Sequence, residues 1–175
     1  MKKLHKLTFI LGGASSGKSA YAEALAISCG RPRTYIATAQ AFDDEMRQKI
    51  AVHVAQRGAG WTTVEAPIDP AAVLATQPAD RIVLLDCVTL WLTNVILAGD
   101  DVDVACDRLL ASLAACPCPV IVVSNEVGMG IVPDNALSRR FRAAQGRINR
   151  ALAAQAGTVV AVMAGLPLAL KGELP

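Results

Sequence analysis

The chain has 175 residues, a formal net charge of +2, 53% hydrophobic residues and only 4% aromatic residues. That length suits one domain, here a single unit spanning residues 1–175, whose core must be built from Ala, Val, Leu and Ile. So small a charge, with no basic stretch interleaved with aromatics, excludes nucleic acid as the expected partner, and five cysteines without a Cys-x-x-Cys pair exclude both a disulfide framework and a structural zinc site.

Taken from the N-terminus, Lys2, Lys3 and Lys6 precede an apolar run too short for a signal peptide, so the chain is expected to be cytoplasmic. That run, Leu7–Leu11, reads as the first strand. It leads into Gly12-Gly13-Ala14-Ser15-Ser16-Gly17-Lys18-Ser19, a complete G-x-x-x-x-G-K-[ST] phosphate-binding loop, and then into a helix over Ser19–Cys29. The glycines let the backbone aim successive N–H groups at an anion, and the helix N-terminus adds its dipole. Lys18 supplies a charge for the β- and γ-phosphates, and the Ser19 hydroxyl is a ligand for Mg²⁺.

Further strands are predicted over Thr34–Ala37, Ile82–Asp86, Val120–Ser124 and Thr158–Met163, mostly aliphatic runs of the kind covered on both faces. Helices are predicted over Asp43–Arg57, Thr89–Leu97, Val102–Ala115 and Asn135–Ala156. Met46, Ile50 and Val54 form the stripe of the first of these; Leu137, Phe141, Ile148 and Leu152 are buried candidates of the last. Ala66–Ala79 reads as a connector with one helical turn, and Cys116-Pro117-Cys118 as packing before a strand. Thr158–Leu170 is the longest apolar segment, too short for a membrane span and interrupted by Gly165 and Pro167. The alternation predicts an α/β fold, P-loop NTPase-like, with a mostly parallel central sheet flanked by helices.

Such sheets bind ligands at the carboxyl ends of their strands, which singles out Thr38, Gln40, Asp86, Asn125 and Glu126. Asp86 closes four apolar residues, either as a Walker B carboxylate that holds Mg²⁺ beside Ser19 or as the N-cap of the next helix. His53 has Lys49 and Arg57 one helical turn to either side. Flanking cations disfavour its protonated form and leave the imidazole available to attack phosphorus; a polar surface position is the alternative. Glu65 either accepts from a guanine N1–H and N2-amine or is an ordinary exposed carboxylate, and Trp61 and Trp91 either stack on a ring or pack in the core. Asn125–Pro133, with Gly128 and Gly130, is a mobile loop, a close approach to a ligand, or a connection needing positive φ. Arg139, Arg140, Arg142, Arg147 and Arg150 cluster on the last helix, against solvent, a neighbour or the substrate.

An ordered set of segments carries a resemblance over nearly the whole chain: the phosphate loop, Tyr35–Gln40, Asp43–Met46 with His53 downstream, Trp61–Glu65, Asp86–Asn94, Ser124–Pro133 and Gly146–Asn149. In these segments the sequence resembles the bifunctional adenosylcobinamide kinase/adenosylcobinamide-phosphate guanylyltransferases of cobalamin biosynthesis. The resemblance implies phosphorylation of the aminopropanol hydroxyl of adenosylcobinamide by ATP or GTP. GMP then passes from GTP to a histidine with loss of pyrophosphate, and on to the cobinamide phosphate, giving adenosylcobinamide-GDP. It places the guanylylated histidine on His53, beside Lys18 as the other catalytic residue. It places nucleotide contacts on Gly12 to Ser19, on Thr38, Ala39 and Gln40, on Val54, Ala55, Gln56 and Arg57, and on Glu65 and Asp86. It also implies Mg²⁺ at Ser19 and Asp86, and a homotrimer. Ser15 stands where arginine is common in that family, and Gly58 where proline is common. The residues alone leave two alternatives, a P-loop regulatory GTPase, disfavoured by the lack of an Asn-Lys-x-Asp segment, and a small-molecule kinase without guanylyl transfer.

Overall fold

The structure is a computed structural model that describes residues 4–40, 48 and 58–175. The expected helix Asp43–Arg57, with His53, Val54, Ala55, Gln56 and Arg57, lies outside the described residues apart from Gln48. The described elements are β1 (Leu7–Gly12), α1 (Lys18–Ser28), β2 (Arg33–Ala37), β3 (Trp61–Glu65), α2 (Pro70–Ala75), β4 (Ile82–Asp86), α3 (Val88–Ala98), α4 (Val102–Ala115), β5 (Val120–Asn125), α5 (Ala136–Gln155), β6 (Thr158–Met163) and β7 (Leu166–Lys171).

The strands form one seven-stranded sheet in the order β3-β2-β4-β5-β1-β6-β7. β1 to β6 pair in parallel, and β7 returns antiparallel on β6. Side chains alternate between two cores. Phe9, Leu85 and Val122 pack with α3, α4 and α5, whereas Ile10, Leu84 and Ile121 pack with Ala22, Leu25 and Ala26 of α1. Helices on both faces explain why the strands read as unbroken apolar runs.

Two strands depart from the expected set. β3 is an edge strand with Thr62, Thr63 and Glu65 exposed, so its pattern lacks the apolar run of a buried strand. β7 is the other edge, where Pro167 is tolerated. Ala164 (φ 52°) and Gly165 (φ 79°) make the two-residue turn that joins it to β6, so the apolar segment from Thr158 is a hairpin. Leu137, expected to be buried, is 55% exposed, because the first turn of α5 lies beyond the apolar stripe formed by Ala144, Ile148 and Leu152.

Candidate active site

β1 ends at Gly12, and the chain turns through Gly13–Gly17 into α1. Gly17 precedes the helix with φ 90°, and no side chain caps that N-terminus. Among the described residues, the first N–H groups of α1 therefore have neither a helical nor a side-chain acceptor, the condition that favours an anion. Lys18 is buried, and its Nζ donates to the Gly13 carbonyl at 3.0 Å. The loop is braced from the side. The Ser16 N–H donates to Gly13 O at 3.3 Å, and the Gly165 N–H of the β6–β7 turn donates to Ser16 O at 2.9 Å. The Ser16 hydroxyl is buried without a partner among the described residues. Gly13, Ala14, Ser15 and Gly17 are exposed at the rim, with Ser15 at φ 55°, and Ser19 is half-buried on the first turn of α1.

Strand register brings the other expected residues to the same edge of the sheet. Glu65 lies opposite Ala37, Ala37 opposite Asp86, and Asn125 opposite Gly12. The segment Thr38–Gln40 leaves β2 at this edge. Thr38 itself is fully buried. Its Oγ1 donates to Cys87 O at 2.7 Å and accepts from the Cys87 N–H at 2.8 Å, while Asn94 Nδ2 donates to Thr38 O at 2.8 Å. That hydroxyl holds the end of β4, and Ala39 and Gln40 are the half-buried members of the segment.

Asp86 does not cap α3; Cys87 occupies the N-cap position and makes no side-chain cap bond. Asp86 Oδ2 accepts from the Tyr35 hydroxyl at 2.9 Å, which orients the carboxylate and leaves Oδ1 without a protein donor among the described residues. A hydroxyl on α1 and an oriented carboxylate at the strand end are hard oxygen donors of the kind magnesium takes. Magnesium in phosphoryl-transfer sites draws most of its ligands from phosphate and water. The neighbouring Cys87 thiol is pushed up to about 11, first by burial and then by the Asp86 charge.

Beyond β5 the chain forms the loop 126–134. Glu126 N–H donates to Gly12 O at 3.0 Å, joining β5 to the start of the phosphate loop, and Glu126 Oε1 accepts from the Gly128 N–H. Arg142 donates to the carbonyls of Gly128 and Ile131, and Arg139 to those of Pro133 and Asp134. Behind the loop lies a buried polar set that sequence reasoning missed. Ser124 Oγ donates to Asn149 Oδ1 at 2.7 Å, Gln145 Nε2 donates to both, and Asn149 Nδ2 donates to Asn125 O at 3.1 Å. Its sequence signal is Gln145 and Asn149 one helical turn apart within the apolar stripe of α5. Trp91 is buried in the core, with its Nε1 donating to Ile68 O at 3.0 Å; Trp61 packs edge-on against Tyr35 with Arg33 over its ring.

Residues 8–170 match the family described as cobinamide kinase / cobinamide phosphate guanyltransferase. The chain belongs to this family. The bifunctional adenosylcobalamin biosynthesis protein CobP of Pseudomonas aeruginosa is 48% identical over 167 residues, covering 94% of this chain and 96% of that protein. CobU of Salmonella typhimurium, also described as a bifunctional adenosylcobalamin biosynthesis protein, is 40% identical over 182 residues, covering 94% of this chain and 99% of that protein. Among solved structures, one from Pyrococcus horikoshii OT3 aligns with a TM-score of 0.57 at 8% identity, covering 99% of this chain and 89% of that one. An ATPase of a bacterial type III secretion system aligns with a TM-score of 0.51 at 12% identity, covering 95% and 57%. At those identities the likeness is one of fold, the P-loop NTPase-like arrangement of a mostly parallel sheet flanked by helices. For a cobinamide kinase / cobinamide phosphate guanyltransferase, the matched span includes the phosphate loop, the aligned strand ends and the hairpin that braces the loop. No helix among the described residues is long and apolar enough to cross a membrane.

Proposed function

We propose that the chain, folded as a single domain, phosphorylates the aminopropanol hydroxyl of adenosylcobinamide with ATP or GTP and then converts the product to adenosylcobinamide-GDP with GTP. The observation that carries this reading is the open phosphate cradle at Gly12–Ser19, aligned along one sheet edge with Asp86 and Glu65, in a member of this family. The cradle amides and Lys18 hold the triphosphate. In the first reaction the substrate hydroxyl oxygen forms a bond to the γ-phosphorus as the β–γ bridge breaks, and the hydroxyl proton passes to solvent. In the second, an imidazole nitrogen of His53 attacks the α-phosphorus of GTP, and the bond to the bridging oxygen breaks to release pyrophosphate. An oxygen of the cobinamide phosphate then displaces the imidazole, so that the P–N bond breaks as the new P–O–P linkage forms. Dividing the transfer in this way replaces one difficult displacement by two easier ones. Mg²⁺, held by Ser19 and Asp86, would neutralise charge on the departing pyrophosphate. Glu65 reads the guanine edge, and Ala39, Gln40 and Val54–Arg57 border the nucleotide. The active form is a cytoplasmic homotrimer.

The test uses GTP labelled at the α-phosphate. The protein is expected to acquire an acid-labile phosphoramidate label, which His53→Ala loses while retaining phosphorylation of adenosylcobinamide. Label that persists in His53→Ala would move the nucleophile to another residue. Protein that phosphorylates its substrate but never takes up label would be a kinase alone.

A further inference from the structure

The arginines of α5 border a groove that the phosphate loop does not use. It has a volume of about 630 Å³, within the range of small-molecule sites. Its floor is apolar, formed by Leu11 of β1 and Leu170, with Phe9 and Val159 buried directly beneath them. Phe9 packs in the core of α3, α4 and α5, whereas its neighbour Ile10 packs against α1. The groove is therefore across the sheet from the helix that the phosphate loop feeds. It still reaches the same edge, because Glu126, which lines it, is bonded through its N–H to Gly12 O at 3.0 Å.

One wall is a row of guanidinium groups, Arg139, Arg142, Arg147 and Arg150. On a helix these span about 16 Å, starting at the carboxyl edge of the sheet and running inward. Arg139 and Arg142 bond to backbone carbonyls and have no carboxylate partner among the described residues. Arg147 pairs with Asp103 at 3.3 Å, at an exposed position. Arg150 has no hydrogen bond or ion pair among the described residues. Glu126 is the single carboxylate in the lining among the described residues, which give the groove a positive excess.

Gly146 lies on the same wall, in the middle of α5. Glycine weakens a helix interior, yet a Cβ at this position would meet no atom within 4 Å. Packing within the chain does not require glycine there. What its lack of a side chain does is keep the groove wide.

We infer that this groove binds the corrinoid substrate, whose phosphorylated arm points to the mouth. The inference rests on the proposed function and deepens it. The phosphate goes to Arg142 and Arg139, next to the loop that carries the nucleotide. The macrocycle lies on the apolar floor, and Arg147 and Arg150 donate to the carbonyls of its amide side chains. Guanidinium groups serve both ends, since they donate to phosphate and to neutral carbonyl oxygen.

Two variants test this. Gly146→Leu puts a side chain into the groove at a position where a Cβ meets no atom within 4 Å, and favours the helix, and Arg150→Glu reverses a charge that has no partner among the described residues. Each is expected to raise the KM for adenosylcobinamide and for its phosphate about tenfold relative to the KM for GTP, with Arg150→Lys recovering part of the loss. Arg31→Glu, remote from the groove, serves as the charge control and leaves all three values unchanged. Acceptor KM values within twofold of wild type in both variants would overturn the proposal. So would a change of oligomeric state by light scattering with acceptor KM unchanged, which would make the groove a contact between copies. Failure of the functional reading shows separately, as wild-type protein that transfers neither group. Equilibrium dialysis with adenosylcobinamide, read by its visible absorbance, then decides the groove. Binding that Gly146→Leu weakens about tenfold supports it, and no binding to wild type, or equal binding to both, overturns it.

Discussion

Gly12 and Gly13 are neighbours in the phosphate loop, yet a methyl group added to each would meet very different surroundings. At Gly12 a Cβ would come within 2.5 Å of Ser16 Oγ and 2.6 Å of the Val162 carbonyl. The hydroxyl could rotate, but the carbonyl belongs to β6 and cannot retreat without moving the strand. At Gly13 a Cβ would meet no atom of the described residues within 4 Å. Gly12→Ala is therefore expected to cost about 1–3 kcal/mol, the usual range for overpacking, and to weaken GTP binding by shifting the loop. Gly13→Ala is expected to keep the unfolding midpoint of the wild type. Urea unfolding of the two variants checks the contrast, and equal midpoints would mean that the loop yields at Gly12. Lys18 shows the same economy of position. Its ammonium group already lies inside the loop, bonded to the Gly13 carbonyl at 3.0 Å, so an arriving phosphate need only draw it away from one acceptor.

Among the elements, α5 connects most of the features that matter. It carries the arginine row, and on an adjoining face Gln145 and Asn149, which hold the end of β5 in place. Asn149→Ala removes the acceptor for Ser124 and the donor for Asn125 O, leaving buried polar groups without partners. The expected loss is about 1–3 kcal/mol in chemical unfolding. GTP binding should weaken with it, because the next residue, Glu126, is the one bonded to Gly12. A loss of stability with no effect on GTP would show that the network serves the core alone. How far the elements could be read in advance follows from where they lie. The five buried strands were legible because both of their faces are covered, and α4 because Asp101 accepts from the N–H groups of Asp103 and Val104 and so marks its start. β3 and β7 were not legible, since an edge strand need not alternate cleanly and can carry Pro167. Of the site, the loop and Asp86 could be placed because strand ends converge on one edge, whereas Glu65 reaches that edge at the end of a strand the local pattern does not mark. The hairpin that braces Ser16, the engagement of Thr38 and the groove beneath the arginines depend on pairings far apart in the chain, which local pattern does not encode.

Across the whole molecule, the two cores on either side of the sheet both enclose thiols. Cys87 lies in the core on the α1 side, and Cys116 and Cys118 lie in the other with their sulfurs 3.5 Å apart. Burial raises the Cys87 thiol to about 11 from an ordinary value of 9.0. Burial, followed by the hydrogen bond with Cys116, raises Cys118 to about 12. The sign of the effect on stability is determined by which state releases the proton first. Below pH 9 the thiols are protonated in both states, and the folded protein keeps its full stability. As pH rises from 9 towards 11, an unfolded chain ionises Cys87 while the folded chain cannot, so each unit of pH favours unfolding. For Cys87, which is almost wholly buried, the loss amounts to roughly 2–3 kcal/mol by pH 11. Lysines and tyrosines titrate over the same range, so the wild-type slope alone does not isolate the thiol. The comparison that does is Cys87→Ala, which carries a constant penalty for its small cavity at every pH but lacks the proton. In urea unfolding under reducing conditions, the variant is expected to start below the wild type at pH 8 and to lose less between pH 9 and 11, so that the two curves converge. Parallel curves over that range would mean that water reaches Cys87 in the folded protein and that the end of β4 is less tightly closed than its hydrogen bonds to Thr38 imply.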